Sequence, residues 1–144
     1  MPRFARPSPR NFLSNRWPSI FGIHLSPTQE KGQEAEDLAR TFLEKKGYTL
    51  LLNNFRTPLG EVDLIMDHGD TLVFIEVRER KSSAYGTPAE TVTLKKQKRI
   101  AKAALMYIKS NRLQNRPVRF DIVSIQNGKM SHLENAFAPT GYIY

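Results

Sequence analysis

The chain of 144 residues contains no cysteine, which removes disulfide frameworks, thiolate zinc sites and cysteine nucleophiles from consideration. A thiol-free chain suits a reducing cytoplasm, and that is the expected location. No apolar run is long enough for a transmembrane helix and no strongly amphipathic basic segment appears, so no membrane partner is expected. The first 27 residues hold no acid at all, yet Arg3, Arg6, Arg10 and Arg16 there supply half of the net charge of +8. Five of the nine prolines share that stretch, and Trp17, Ile20, Phe21 and Ile23 are scattered through it without period. Residues 1–27 are therefore expected to form a flexible, basic, proline-rich extension. No continuous apolar core follows the arginines, which excludes a secretory signal, and the prolines oppose the amphipathic helix of a transit peptide.

Residues 28–144 suit a single domain, long enough to bury about two-thirds of its unfolded surface. The positive balance points to a polyanionic partner, nucleic acid before membrane.

The most informative stretch runs from Gly60 to Arg80. Two alternating segments flank His68-Gly69, the pattern of an antiparallel hairpin. A turn centred on His68-Gly69 pairs Asp67 with Asp70, Ile65 with Leu72, Asp63 with Phe74 and Glu61 with Glu76. Val62, Leu64, Met66, Val73, Ile75 and Val77 then share an apolar face. Glu61, Asp63, Phe74, Glu76 and Arg78 share the other. Asp63 and Glu76 become diagonal neighbours, about 7–8 Å apart between backbone positions. Like charges that close need compensation. Arg78 on the same face supplies it in one reading, and a divalent metal in the other.

Helices flank this hairpin. Ser26-Pro-Thr-Gln29 is a capping box, followed by a stripe of Ala35, Leu38, Ala39, Phe42 and Leu43, with Gly47 as a stop. Glu36 borders that stripe, although acids early in a helix also simply complement its dipole. Tyr48 to Arg56 reads as a strand. Lys81 to Gly86 reads as a basic loop. Thr87-Pro-Ala-Glu90, or Thr93, caps a second helix to about Asn111 whose stripe of Ile100, Ala103, Ala104, Tyr107 and Ile108 extends back to Lys96. A lysine there either snorkels past the sheet edge or points into a polar site. Lys95, Lys98, Arg99, Lys102 and Lys109 make the helix basic. Val118 to Ile125 alternates as a strand, Asn127-Gly128 is a hairpin turn, and Lys129 to Leu133 pairs back. The late aromatics are expected on the core.

The order helix, three strands, helix, strand, with acids on the hairpin, resembles the restriction-endonuclease-like core of the PD-(D/E)xK nucleases. More closely, Gly32-x-x-x-Glu36-x-x-Ala39, Phe42-Leu-x-x-x-Gly47-Tyr, Asn54-x-Arg56, Gly60-Glu-Val-Asp-Leu-Ile65, Phe74-Ile-Glu-Val-Arg78, Lys96-Gln97 and Arg119-Phe-Asp-Ile-Val123 resemble the YraN-like family. Its members are regarded as endonucleases related to archaeal Holliday junction resolvases. The resemblance implies an α/β fold with a mixed central sheet flanked by helices. It implies magnesium or manganese held by Asp63, Glu76 and the carbonyl of Val77, with Glu36 contributing directly or through water. Glu61, on the same face by the expected register, is an expected outer support.

Where the superfamily usually carries lysine, this chain has Arg78, which stays protonated and can orient groups and stabilise charge but not accept a proton. Lys96, reaching in from the second helix, is the alternative amine. Arg80, Lys81, Lys95, Lys96 and Arg99 are the expected nucleic-acid contacts. The expected activity is metal-dependent endonucleolytic hydrolysis of DNA, including branched DNA, for which symmetric cutting would call for a homodimer. The alternatives are a nucleic-acid-binding module that has kept the fold without the chemistry, and a protein-interaction scaffold.

Overall fold

The computed structural model describes residues 27–80 and 92–139. In chain order these form α1 (Pro27–Lys45), β1 (Thr49–Thr57), β2 (Gly60–His68), β3 (Thr71–Arg80), α2 (Leu94–Ser110), β4 (Val118–Gln126) and β5 (Lys129–Leu133). The strands build one sheet in the order β1-β2-β3-β4-β5. All neighbours are antiparallel except β3 and β4, which run parallel and are joined through α2. The expected mixed α/β architecture is present, with β5 added by the Asn127-Gly128 turn.

The two helices cover opposite faces. Ala39 and Leu43 of α1 pack with Leu64, Met66, Val73, Ile75 and Val123. Ile100, Ala103, Ala104, Tyr107 and Ile108 of α2 pack with Ile65, Leu72, Phe74, Phe120 and Ile122. Phe74 stacks on Phe120 at 5.6 Å between centroids, and Phe120 on Phe137 at 5.2 Å. Of the late aromatics, Phe137 thus joins the core, whereas Tyr142 and Tyr144 lie outside the described residues.

Three sequence expectations need correction. The hairpin turns at Gly69-Asp70, so Leu64 faces Ile75, Ile65 faces Phe74 and Asp67 faces Leu72. This register differs by two residues from the expected one. Second, Phe74 does not lie on a polar face, since every residue from Leu72 to Glu76 is buried. Helices on both sides make the central strand apolar on both sides. Third, Val62 packs with the α2 cluster rather than beside Leu64. The strand pairing accounts for this change. The β2–β3 ladder ends at Leu64 and Ile75, and β2 departs from regular alternation beyond that point.

Gly60 explains how α2 comes so close to β2. A Cβ added there would overlap the carbonyl of Arg99. The bare glycine lets the start of α2 rest directly on the strand. Thr93 caps α2 by accepting the Lys96 N–H at 3.2 Å. The other suggested cap, Thr87 to Glu90, falls outside the described residues.

Candidate functional site

A cleft of about 350 Å³ opens at one end of the sheet, between the first halves of α1 and α2. Glu36 lines it from α1, Asp63 from β2, Glu76, Val77 and Arg78 from β3, and Lys96 from α2. The six residues implied as metal ligands or catalytic groups are therefore brought together.

Asp63 sits where the ladder stops. One more antiparallel pair would set it opposite Glu76. Instead its carboxylate takes the place of a backbone acceptor, with Oδ2 accepting the Val77 N–H at 2.8 Å. Glu76 is only 4% exposed. Its Oε1 lies 2.5 Å from Lys96 Nζ and 3.9 Å from Arg78 Nη1. Of the two readings of Lys96, the structure shows the one that points into a polar site, held there by the Gly60 contact and the Thr93 cap.

Glu36 lies within hydrogen-bonding reach of Asn54 and Asp63, yet its Oε2 is buried with no hydrogen-bond partner. Asn54 occupies β1 with φ +52, a left-handed conformation that asparagine tolerates better than most residues. From there its amide donates to Gln33 Oε1 on α1 at 2.9 Å.

The electrostatics follow from burial. Desolvation, with the Glu36 charge adding to it, pushes the Asp63 carboxyl up to about 6, even though the Val77 N–H favours its charged form. Desolvation and the neighbouring Asp63 push Glu76 up to about 7, against the pull of Lys96. Burial also raises Glu36. Desolvation and mutual repulsion thus both disfavour the charged forms of these three carboxyls.

A divalent cation suits this donor set. Glu36 offers a buried oxygen without a donor, and Asp63 and Glu76 are raised first by desolvation and then by neighbouring negative charge, which a cation would offset. Among the described residues, no group of three or more His, Cys, Asp or Glu stands placed to hold a metal ion. Magnesium does not require such a group, because it takes one or two carboxylates with waters and phosphate oxygens.

Other expectations fare differently. Glu61 does not support the site. It is exposed and lies 3.7 Å from Arg56. Lys95 and Arg99 are exposed on α2, and Arg80 ends β3 opposite Gln126 of β4. These three do not line the cleft, and Lys81 falls outside the described residues.

A second polar cluster went unrecognised in the sequence. Asp121 is fully buried in β4. Arg119 donates to both its oxygens at 2.8 and 2.9 Å. His132 Nε2 lies 2.7 Å from Oδ2, and the Asn135 N–H donates to Oδ1 at 2.9 Å. Burial pushes the Asp121 carboxyl up, but the His132 and Arg119 bonds outweigh it and hold the group below its ordinary value. Lys46 Nζ stands 2.8 Å from His132 Nδ1. An ammonium only donates, so Nδ1 accepts and Nε2 carries the proton toward Asp121. Arg119 also donates to the Tyr48 hydroxyl at 2.6 Å, and burial pushes that hydroxyl up to about 12. Arg119-x-Asp121 was the only sequence sign of this cluster, since its remaining members come from the end of α1, the start of β1 and the β5 region.

Comparison with known proteins places these features in a family. Residues 35–125, which include Asp63, Glu76, Arg78, Lys96, Arg119 and Asp121, match the model described as "Uncharacterised protein family UPF0102". The chain is 46% identical over 108 residues to a UPF0102 protein of Thermodesulfovibrio yellowstonii, covering 75% of this chain and 96% of the relative. It is 42% identical over 107 residues to one from Persephonella marina, covering 74% and 92%. A Legionella pneumophila relative is 43% identical over 113 residues, covering 76% and 96%. With Glu36, Asp63, Glu76 and the buried arginine–aspartate pair all inside the matched region, the chain belongs to the UPF0102 family.

Proposed function

We propose that this protein is a metal-dependent endonuclease that hydrolyses phosphodiester bonds of DNA in the cleft between α1 and α2. One observation carries the reading. Asp63, Glu76 and Glu36 converge in one cleft, each carboxyl raised by desolvation and one with an unpartnered oxygen, beside Lys96 and Arg78. A purely structural ion cluster would have its acids satisfied, as Asp121 is.

Asp63, Glu76 and the Val77 carbonyl would hold magnesium or manganese, with Glu36 assisting directly or through water. When bound, the cation supplies Lewis acidity that polarises the phosphodiester and acidifies water. Arg78 stays protonated and stabilises negative charge that builds on the phosphoryl oxygens. Lys96 is the amine of the cleft and orients the attacking water while holding the Glu76 carboxylate in place.

Nucleic acid is the fitting partner because α2 carries Lys95, Lys98, Arg99, Lys102 and Lys109 and no acid. Those side chains are exposed and would meet phosphates, together with Arg80 and Lys81. Branched DNA would require two copies cutting symmetrically. Among the described residues no helix is long and apolar enough to cross a membrane, and a cytoplasmic site of action fits a thiol-free chain.

A second reading rests on Arg78. With arginine at the position where related nucleases carry lysine, the chain would bind nucleic acid without cutting it. Cleavage of labelled linear and four-way-junction DNA with magnesium, manganese or EDTA separates the two. Endonuclease activity predicts metal-dependent cutting that Asp63→Asn and Glu76→Gln each abolish. Salt-sensitive binding without cutting, retained in both variants, would establish the binding module instead.

A further inference from the structure

Glycine in a helix interior is costly, by about 1 kcal/mol relative to alanine. Where it occurs, either the backbone or a neighbour usually demands it. Among the described glycines, Gly47, Gly69 and Gly128 take positive φ, and Gly60 makes room for the Arg99 carbonyl.

Gly32 has neither reason. It lies beyond the first turn of α1, its φ is not positive, and a Cβ added there would meet nothing within 4 Å. It does, however, line the cleft one helical turn before Glu36, beside the small side chain of Ala35. Among the described residues, nothing occupies the space that a side chain there would fill. That space opens into the cleft.

We propose that Gly32 is the point where the sugar–phosphate backbone of the bound strand passes closest to α1, and that its bare surface sets the width of the cleft for a polymeric substrate. The proposal rests on the endonuclease reading for the identity of that substrate. The opposite wall is cationic, with Lys96 at the mouth and the exposed lysines of α2 beyond it. A strand lying between the walls has its charge met on the α2 side and needs only clearance on the α1 side. A small phosphodiester that reaches the acids without spanning the mouth would not need that clearance.

Gly32→Ala and Gly32→Leu test this, since both residues are better helix formers than glycine. Three quantities are measured for each: Tm, Mn²⁺ affinity by calorimetry, and affinity for a fluorescein-labelled DNA duplex by anisotropy. The rate of bis(p-nitrophenyl) phosphate hydrolysis is followed alongside. The expected result is a Tm that holds or rises, with Mn²⁺ affinity retained and small-diester hydrolysis falling less than DNA affinity in the alanine variant. DNA affinity falls in the order Gly, Ala, Leu, by about tenfold for leucine, the penalty of a modest steric clash.

Equal DNA affinity in all three proteins overturns the proposal. If the wild type binds DNA but hydrolyses neither substrate, the endonuclease reading fails and the affinity series still decides the role of Gly32. If the wild type binds no DNA, both fall. Should the leucine variant fail to fold, the alanine variant alone decides.

Discussion

Asp121 is a fully buried aspartate of β4 and Asp63 a half-buried one of β2, and desolvation drives their protons in the same direction. Asp121 ends below its ordinary value and Asp63 above it. The difference lies in the partners. Asp121 has a bidentate arginine, a histidine and a backbone N–H. Asp63 has one backbone N–H and two other acids for neighbours, with Lys96 committed to Glu76. A buried charge complete in itself serves the fold. Acids that share few donors would, on the proposed function, accommodate a cation. The contrast in partners sets the two regions apart.

The sharpest way to break this comparison is to neutralise each side in turn. Asp121→Asn strands Arg119 and His132 against an amide, and should cost on the order of 3–5 kcal/mol in urea unfolding. Glu76→Gln in metal-free protein should leave stability unchanged or slightly raised, because it removes a charge the site holds reluctantly. If both variants lose stability equally, the distinction between the regions is wrong.

The pH dependence sharpens the point. The folded-state pKa values of Asp63, about 6, and Glu76, about 7, lie above the ordinary values of 3.8 and 4.5. The folded metal-free protein therefore binds the extra protons. Their contribution is fully present below about pH 4 and is lost as pH rises to about 7, by on the order of 3 kcal/mol for each group. Asp121 acts in the opposite sense, stabilising above its unfolded value and losing that contribution as pH falls through its depressed one. Denaturation curves against pH should show both limbs, with Asp63→Asn flattening only the neutral one. Mn²⁺ affinity should rise over the same neutral range, because the metal must displace those protons.

Smaller effects probe how the cleft is held. Gly60→Ala forces the start of α2 off β2 and should cost about 1–3 kcal/mol. It should also weaken Mn²⁺ binding, because Lys96 moves with the helix. At Asn54, alanine should destabilise by about 1 kcal/mol and glycine by less, since glycine accepts the left-handed backbone. Both lose the amide that reaches Gln33. A drop in Mn²⁺ affinity common to both variants would assign Asn54 a bracing role on Glu36, separate from its backbone.

The element order and the α2 stripe were legible in the sequence, and the family resemblance implied the convergence of Glu36, Asp63, Glu76, Arg78 and Lys96. The α1 stripe was legible only in part, since Leu38 is 51% exposed. The hairpin register was not legible, for a definite reason. A shift of two residues leaves every side chain on its own face, so alternation cannot distinguish the two registers. Only the turn at Gly69-Asp70 distinguishes them. Glu61 was misplaced because alternation was assumed to continue beyond the end of the ladder, where β2 departs from it. The Asp121 cluster was hidden by distance along the chain, since Tyr48 and Arg119 stand 71 positions apart.

One consequence of β1 reaches beyond the cleft. Within the described sheet it is an outer strand, with unpaired backbone groups along one side. Its register shifts between Leu50 and Leu52, and two residues later Asn54 turns left-handed. A strand broken twice in so few residues offers no straight row of donors and acceptors for a foreign strand to join. The asparagine beside the acidic cleft thus also guards the margin of the sheet against fibril-like stacking.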